Sequence, residues 1–309
     1  MVQPRFAWMD GEIVPWDKAR VHIAARVVTS GLGAFEGVRA YWGGEKREFL
    51  VFRLQDHVRR LLQSARIYGM EPRMTANDIE SGCVNLLKEN RFFEDCYLRP
   101  CVYQGNPWGT DRLVNVSIFN VPRSSHLGTK ELEGIRCNIS TWRRIPDCVL
   151  PPRAKMNGNY LQLVIASNEA KASGYDEPIH LTVDGKVSEP PGANVFIVRD
   201  KSLITPTPSS DILEGITRAS ILELAAENIP EVECVERTVD RTELYIADEV
   251  FLCGTGHAEI TPVISVDNRT TGTGKPGPVT LSLRDLYYRV VHGEVEKYSP
   301  WLTRVSTTG

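Results

Sequence analysis

The chain has 309 residues, 42% of them hydrophobic and 24% charged, with a formal net charge of −3 at pH 7. That is ordinary globular composition with length enough for two domains, and the scattered Lys and Arg residues form no basic footprint for nucleic acid. No run of about 18 apolar residues is present and residues 1–14 do not read as a secretory leader, so no membrane partner is expected and the expected location is the cytoplasm. The cysteines (Cys83, Cys96, Cys101, Cys137, Cys148, Cys234 and Cys253) are odd in number and contain no CxxC pair, and the histidines lack ligand spacing. Reduced thiols are expected, with neither a disulfide frame nor a metal site.

Residues 6–14 read as a hairpin around Asp10-Gly11, a strong turn dipeptide. Residues 21–28 form a β-rich run, and Gly31, Gly33 and Gly37 after it suggest a close backbone approach or a bulged strand. A short strand is expected at 49–53, and from Leu54 the apolar residues follow helical spacing with Asp56 near the start. A second helix is expected over 77–88, then strands at 96–103 and 114–120. The polar, turn-rich stretch after Pro122 marks a boundary, which gives an N-terminal domain over 1–123, an interdomain loop over 124–134 and a C-terminal domain over 135–309. Beyond it the pattern predicts strands at 135–141, 179–187, 194–198, 203–204 and 249–253, and helices at 160–173, 218–228 and 282–296. Strands and helices mix without strict alternation, which favours an α+β fold over a doubly wound sheet.

The segment Ala154-Lys155-Met156-Asn157-Gly158-Asn159-Tyr160 stands between Pro151-Pro152 and an apolar helix. A lysine there, partly buried and able to lose its proton, suits a Schiff base with an aldehyde cofactor. Gly158 leaves room for a flat ring, and Tyr160 offers a phenol to a ring oxygen. Taken alone, the lysine also fits an ordinary loop position before a helix. Glu189 lies in a connection stiffened by Pro190, Pro191 and Gly192, where a fixed carboxylate can keep a pyridine nitrogen protonated; a solvated loop glutamate is the plainer reading. Gly215-Ile216-Thr217 opens a helix that can bind a phosphate or simply carry a threonine near its cap. Gly254-Thr255-Gly256 follows an apolar strand and can form a second anion nest, and Arg53 can add a charge-assisted bond or pair with Asp56. In Tyr97-Leu98-Arg99 the phenol and guanidinium share one strand face, which suits a carboxylate-bearing substrate as well as a plain sheet surface.

Taken in this order, with Trp8-Met9-Asp10-Gly11, Phe35-Glu36-Gly37-Val38-Arg39-Ala40-Tyr41, Tyr97-Leu98-Arg99-Pro100, Ser188 to Phe196, Ile212 to Arg218 and Gly254 to Pro262, the chain resembles the class IV aminotransferases, most closely the branched-chain amino acid aminotransferases. The resemblance implies the two-domain fold type IV architecture (D-amino acid aminotransferase-like), a smaller N-terminal α/β domain and a larger C-terminal one with pyridoxal 5′-phosphate between them. It implies that Lys155 binds the cofactor aldehyde and shuttles the proton, that Tyr160 meets the ring hydroxyl and Glu189 the pyridine nitrogen, and that Leu213 packs on the ring face. Arg53, Ile216, Thr217 and Thr255 would hold the phosphate. Tyr97, with amides near Thr255 and Gly256, would receive the substrate α-carboxylate, Arg99 the side-chain carboxylate of glutamate or 2-oxoglutarate, and Phe35 and Arg39 would line the substrate side.

The implied reaction is ping-pong transamination between an aliphatic amino acid and a 2-oxo acid by a homodimer or higher homo-oligomer. Three departures open the substrate question. Ser30 stands where branched-chain enzymes usually have tyrosine, Glu214 where proline is usual, and the 254–259 loop is one residue longer, placing His257 near the carboxylate site. An (R)-amine or D-amino acid transaminase, or an aminodeoxychorismate lyase-like enzyme, is the alternative on the same fold. A non-catalytic protein of this fold would be expected to lose Lys155 or Glu189, and both are present.

Overall fold

The computed structural model describes residues 3–108, 113–123, 130–256 and 259–307. The chain divides into two compact units, one of Met1–Ser124, Ala154–Gly158 and Arg289–Gly309, the other of Ser125–Arg153 and Asn159–Tyr288. The first unit is therefore not one continuous stretch. It takes in the Lys155 segment and the C-terminal residues from Arg289 onward.

In the first unit the described strands form an antiparallel sheet in the order Leu302–Ser306, Glu48–Phe52, Val38–Gly43, Cys96–Gln104, Val114–Pro122, Phe6–Met9 and Glu12–Pro15, with Gly33–Phe35 pairing on Cys96–Gln104. The expected hairpin is present: Met9 faces Glu12, and Asp10 and Gly11 turn the chain at φ 47° and 106°. Helices Leu54–Ile67 and Ala76–Asn90 bury Leu54, Val58, Leu61, Ile79, Leu86 and Leu87 in the same cluster as Trp8, Phe49 and Leu98, as their apolar spacing requires. Thr75 and Asp78 close a capping box at the second helix. The β-rich run at 21–28 is not a strand. Its apolar residues Ile23 and Val28 are exposed, so no sheet face collects them, and Arg26–Thr29 forms a short helix instead.

The second unit holds a mixed sheet in the order Glu233–Glu236, Ser202–Thr205, Asn194–Arg199, Glu249–Gly254, Glu259–Val266, Ile135–Arg143 and Glu177–Leu181, with Arg269–Thr270 pairing on Glu259–Val266. Its core gathers inward residues such as Ile135, Ile179, Val195, Ile197, Leu252 and Val263. The strand expected over 179–187 stops at Leu181: Gly185 takes φ +80° and Leu181 pairs back with Val187, so the second half of that run is a turn and return. That return delivers Glu189 to the sheet. Helices Tyr160–Ala172 and Ile216–Asn228 occupy the expected regions, and the closing helix, Pro278–Val291, starts four residues earlier than the sequence pattern suggests. Among the described residues no helix is long and apolar enough to cross a membrane.

Candidate active site

In the Lys155 segment, Ala154 and Met156 are buried in the first unit's core while Lys155 between them is half-buried. Its main chain is held at both ends: the Lys155 N–H donates to Ser64 Oγ at 3.0 Å, and its carbonyl accepts from the Phe35 N–H at 3.0 Å. Met156 bridges to Ala34, so the segment lies against strand Gly33–Phe35. Two glycines of the neighbouring run are explained by close approach: a Cβ on Gly33 would lie 2.9 Å from Asn157 Nδ2, and one on Gly37 would collide with the Tyr97 phenol. Gly31 instead takes φ +66°, the left-handed region that favours glycine. A side chain at Gly158, by contrast, would meet nothing within 4 Å.

Phe35 is the hub of this half. The Lys155 ammonium lies 5.3 Å from its ring centroid and the Arg99 guanidinium 4.3 Å, so both cations share one quadrupole. Arg99 also donates to Tyr97 Oη at 3.0 Å, and its buried Nε has no hydrogen-bond partner among the described residues. Arg39 faces Tyr97 across the strands, is buried, and lies 3.7 Å from the Asp95 carboxylate. The guanidinium of Arg53 pairs with Asp56 and stacks 4.8 Å over Trp301, so its charge is already partly compensated.

In the second unit Glu189 is 5% exposed, with contacts at both carboxylate oxygens. Its Oε1 is 2.9 Å from Arg144, and its Oε2 accepts from Asn194 Nδ2 at 3.0 Å and from the Leu213 N–H at 2.9 Å. The same Asn194 amide donates to the Leu213 carbonyl, which ties the loop before helix Ile216–Asn228 to Glu189. That helix has no side-chain cap, and Ile216 and Thr217 at its start are buried. A Cβ on Gly215 would lie 2.0 Å from Asn194 Oδ1, and one on Gly254 would lie 2.8 Å from the Gly192 carbonyl. Gly254 and Thr255 are half-buried and Gly256 is exposed. Tyr160, half-buried, is the first residue of helix Tyr160–Ala172. His180 is buried behind Glu189, and its Nδ1–H and main-chain N–H both donate to the Glu189 carbonyl. Burial lowers His180 to about 4, only partly opposed by the bond to that carbonyl.

Each unit thus collects its own set: Lys155, Phe35, Arg39, Tyr97 and Arg99 in the first, Glu189, Leu213, Ile216 and Thr217 in the second. His257 lies outside the described residues. Ser30 is exposed at the end of the Arg26–Thr29 helix, and Glu214 pairs with Arg153 at 3.3 Å. Sequence reasoning passed over Ser64, Arg144 and Asn194, which hold Lys155 and Glu189, and a buried cluster of Glu36, His57 and Arg60. Glu36 alone carried a local signal, as a carboxylate inside an apolar strand–turn motif. The others take their meaning from partners far away in sequence.

The second-unit set fits pyridoxal 5′-phosphate. It offers a buried carboxylate for a ring nitrogen and, tied to it through Asn194 and Leu213, an uncapped helix start for a phosphate, with no room for a Cβ at Gly215.

A family model described as amino-transferase class IV matches residues 33–266. The chain is 39% identical over 304 residues to a probable branched-chain-amino-acid aminotransferase of Aquifex aeolicus, covering 97% of this chain and 96% of that one. Among solved structures, the branched-chain aminotransferase from Thermoproteus uzoniensis with norvaline matches with a TM-score of 0.92 at 40% identity, covering 98% and 100% of the two chains. The branched-chain amino acid aminotransferase of Thermobaculum terrenum in its PLP form matches at 0.91 and 41%, covering 98% of each chain. With a family model spanning most of the sequence and relatives aligned from end to end, the chain belongs to the class IV aminotransferases.

Proposed function

We propose that this protein is a pyridoxal 5′-phosphate-dependent transaminase that moves the amino group of an aliphatic, branched-chain-type amino acid to 2-oxoglutarate or another 2-oxo acid. The observation that carries the reading is the pairing, around one Phe35 ring, of the Lys155 amine with Arg99, whose buried Nε has no hydrogen-bond partner among the described residues. An amine for proton transfer and a guanidinium for a carboxylate are what an amino acid needs. Relatives 37–39% identical over nearly the whole chain carry the name branched-chain-amino-acid aminotransferase.

When bound, the cofactor supplies an electron sink for the pair left behind when the substrate loses its Cα proton. Lys155 takes and returns that proton at Nζ. Glu189, bonded by Arg144, Asn194 and the Leu213 amide, would hold a proton on the ring nitrogen, and Tyr160 would meet the ring hydroxyl. Leu213 packs on the ring, while Ile216, Thr217, Thr255 and Arg53 hold the phosphate. Tyr97 and the Gly256 amide would orient the substrate α-carboxylate, Arg99 would take the second carboxylate of the dicarboxylic partner, and Phe35 and Arg39 would shape the side-chain pocket.

Assay with leucine or valine and 2-oxoglutarate tests this: glutamate should form with ping-pong kinetics, and no glutamate from either donor would remove the substrate assignment. Turnover of (R)-1-phenylethylamine or D-alanine in their place would favour the alternative that Ser30 raises. A homodimer in the cytoplasm completes the proposal. Helix Tyr160–Ala172 carries Leu161, Val164 and Ile165 exposed at i, i+3 and i+4, an apolar face of the kind that marks a protein interface. Sedimentation at the mass of two chains supports this; a monomer at assay concentration would not.

A further inference from the structure

Helix Leu54–Ile67 carries His57, Arg60 and Ser64 at i, i+3 and i+7, within one face. That face touches two things at once: Ser64 accepts the Lys155 N–H, and His57 and Arg60 donate to Glu36, the residue between Phe35 and Gly37. We propose that Glu36, His57 and Ser64 are positioning residues for Lys155, fixing its main chain and the Phe35 turn it pairs with, and balancing the charge around its ammonium. The proposal rests on the reading of Lys155 given above and adds the residues that hold it ready.

The geometry of the cluster is closed. Glu36 is wholly buried; its Oε1 takes the Arg60 Nε–H at 2.6 Å, and its Oε2 takes Arg60 Nη2 at 2.9 Å and His57 Nδ1 at 2.8 Å. The Glu36 main-chain N–H donates to the Pro100 carbonyl, which ties the turn to the strand that carries Arg99. Replacing a buried ion pair by apolar residues of similar volume is often neutral or stabilising, so packing alone does not call for a carboxylate here.

The electrostatics follow from the same contacts. Burial works to raise the Glu36 carboxyl, but the Arg60 charge and the bonds from His57 and Arg60 outweigh it and hold the group well below the usual carboxylate range. Burial lowers His57 more than its bond to Glu36 raises it, and the charges of Arg60 and Lys155 push the same way. His57 is therefore held toward its neutral form, which spares Lys155 a second cation beside it. Among the described residues, the charged and titratable groups of this neighbourhood include Glu36 and Arg60, which pair with one another, and Arg99 and Tyr97 on the Phe35 side. Without the Glu36 charge the surroundings of Lys155 lose one negative charge, which disfavours a proton on the Lys155 nitrogen.

The test uses the holoprotein, read by the pH titration of the visible band that the lysine–cofactor linkage gives, alongside kcat, KM and the thermal midpoint. Glu36→Gln is expected to lower the titration midpoint by about half a pH unit or more. Ser64→Ala leaves the Lys155 N–H without its acceptor and is expected to lower kcat about tenfold with KM little changed, while Ser64→Thr, which keeps the oxygen, recovers it. A Glu36→Gln protein with the wild-type midpoint, or a Ser64→Ala protein with the wild-type kcat, overturns the proposal even when thermal stability falls, since a purely structural cluster gives that result. Should Glu36→Gln fail to fold, Ser64→Ala decides alone. A wild-type protein that shows no such band fails differently: it removes Lys155 itself from the chemistry.

Discussion

Lys155 and Glu189 are each held by residues that no local pattern marks. Ser64 stands ninety-one positions before the lysine whose N–H it accepts, and Arg144 lies far before the glutamate it neutralises. The lysine and the glutamate stand out in the sequence because prolines and glycines flank them; their supports do not, because a serine on a helix or an arginine on a loop looks the same with or without a distant partner. Behind Glu189, His180 makes a pH prediction. Its folded value, about 4, lies below its ordinary 6.5, so the unfolded chain takes up this proton first as pH falls. The stability tied to a neutral His180 is fully present above pH 6.5 and is lost progressively down to about 4, an amount on the order of 3 kcal/mol. Urea unfolding of the wild type and of His180→Gln at pH 7 and pH 4.5 checks this: the wild type should lose more stability over the interval than the variant, and equal losses would contradict it.

Among the elements, those set by near neighbours were legible. The Asp10-Gly11 hairpin and the Leu54–Ile67 helix follow from a turn dipeptide and from a repeating apolar stripe. The run at 21–28 was misread because β-branched residues were counted without knowing that no sheet face receives them. Helix Ile216–Asn228 joins element to site. Gly215 at its cap has φ −68°, a conformation open to any residue, so its identity is set by space alone. A methyl there would lie 2.0 Å from the Asn194 oxygen and push the amide off Glu189 and Leu213. Gly215→Ala should therefore cost about 1–3 kcal/mol of stability and weaken pyridoxal 5′-phosphate binding about tenfold or more, measured by equilibrium dialysis. Gly158→Ala meets no neighbouring atom within 4 Å and should leave the stability of the cofactor-free protein within about 0.5 kcal/mol. Equal effects of the two substitutions would show that the Gly215 cradle is not what fixes the helix start.

At the scale of the molecule, the two units are not the two halves of the sequence. Ala154–Gly158 and the chain from Arg289 onward belong with the N-terminal unit, the first through pairing with Ala34 and Phe35, the second through strand Leu302–Ser306 on Glu48–Phe52. A division at 124–134 reads the composition shift and has no means to read such returns, which depend on pairing across more than a hundred residues. The return of Lys155 is the one on which the proposed function rests. It takes the amine out of the stretch that holds Glu189 and places it beside Phe35, near Arg99 and Tyr97. The most direct measurement is borohydride reduction of the protein loaded with pyridoxal 5′-phosphate, followed by digestion and mass mapping. Bleaching of the visible band with one phosphopyridoxyl group on the peptide containing Lys155, absent from Lys155→Ala, is the predicted result; a label on another lysine, or none, would contradict the account.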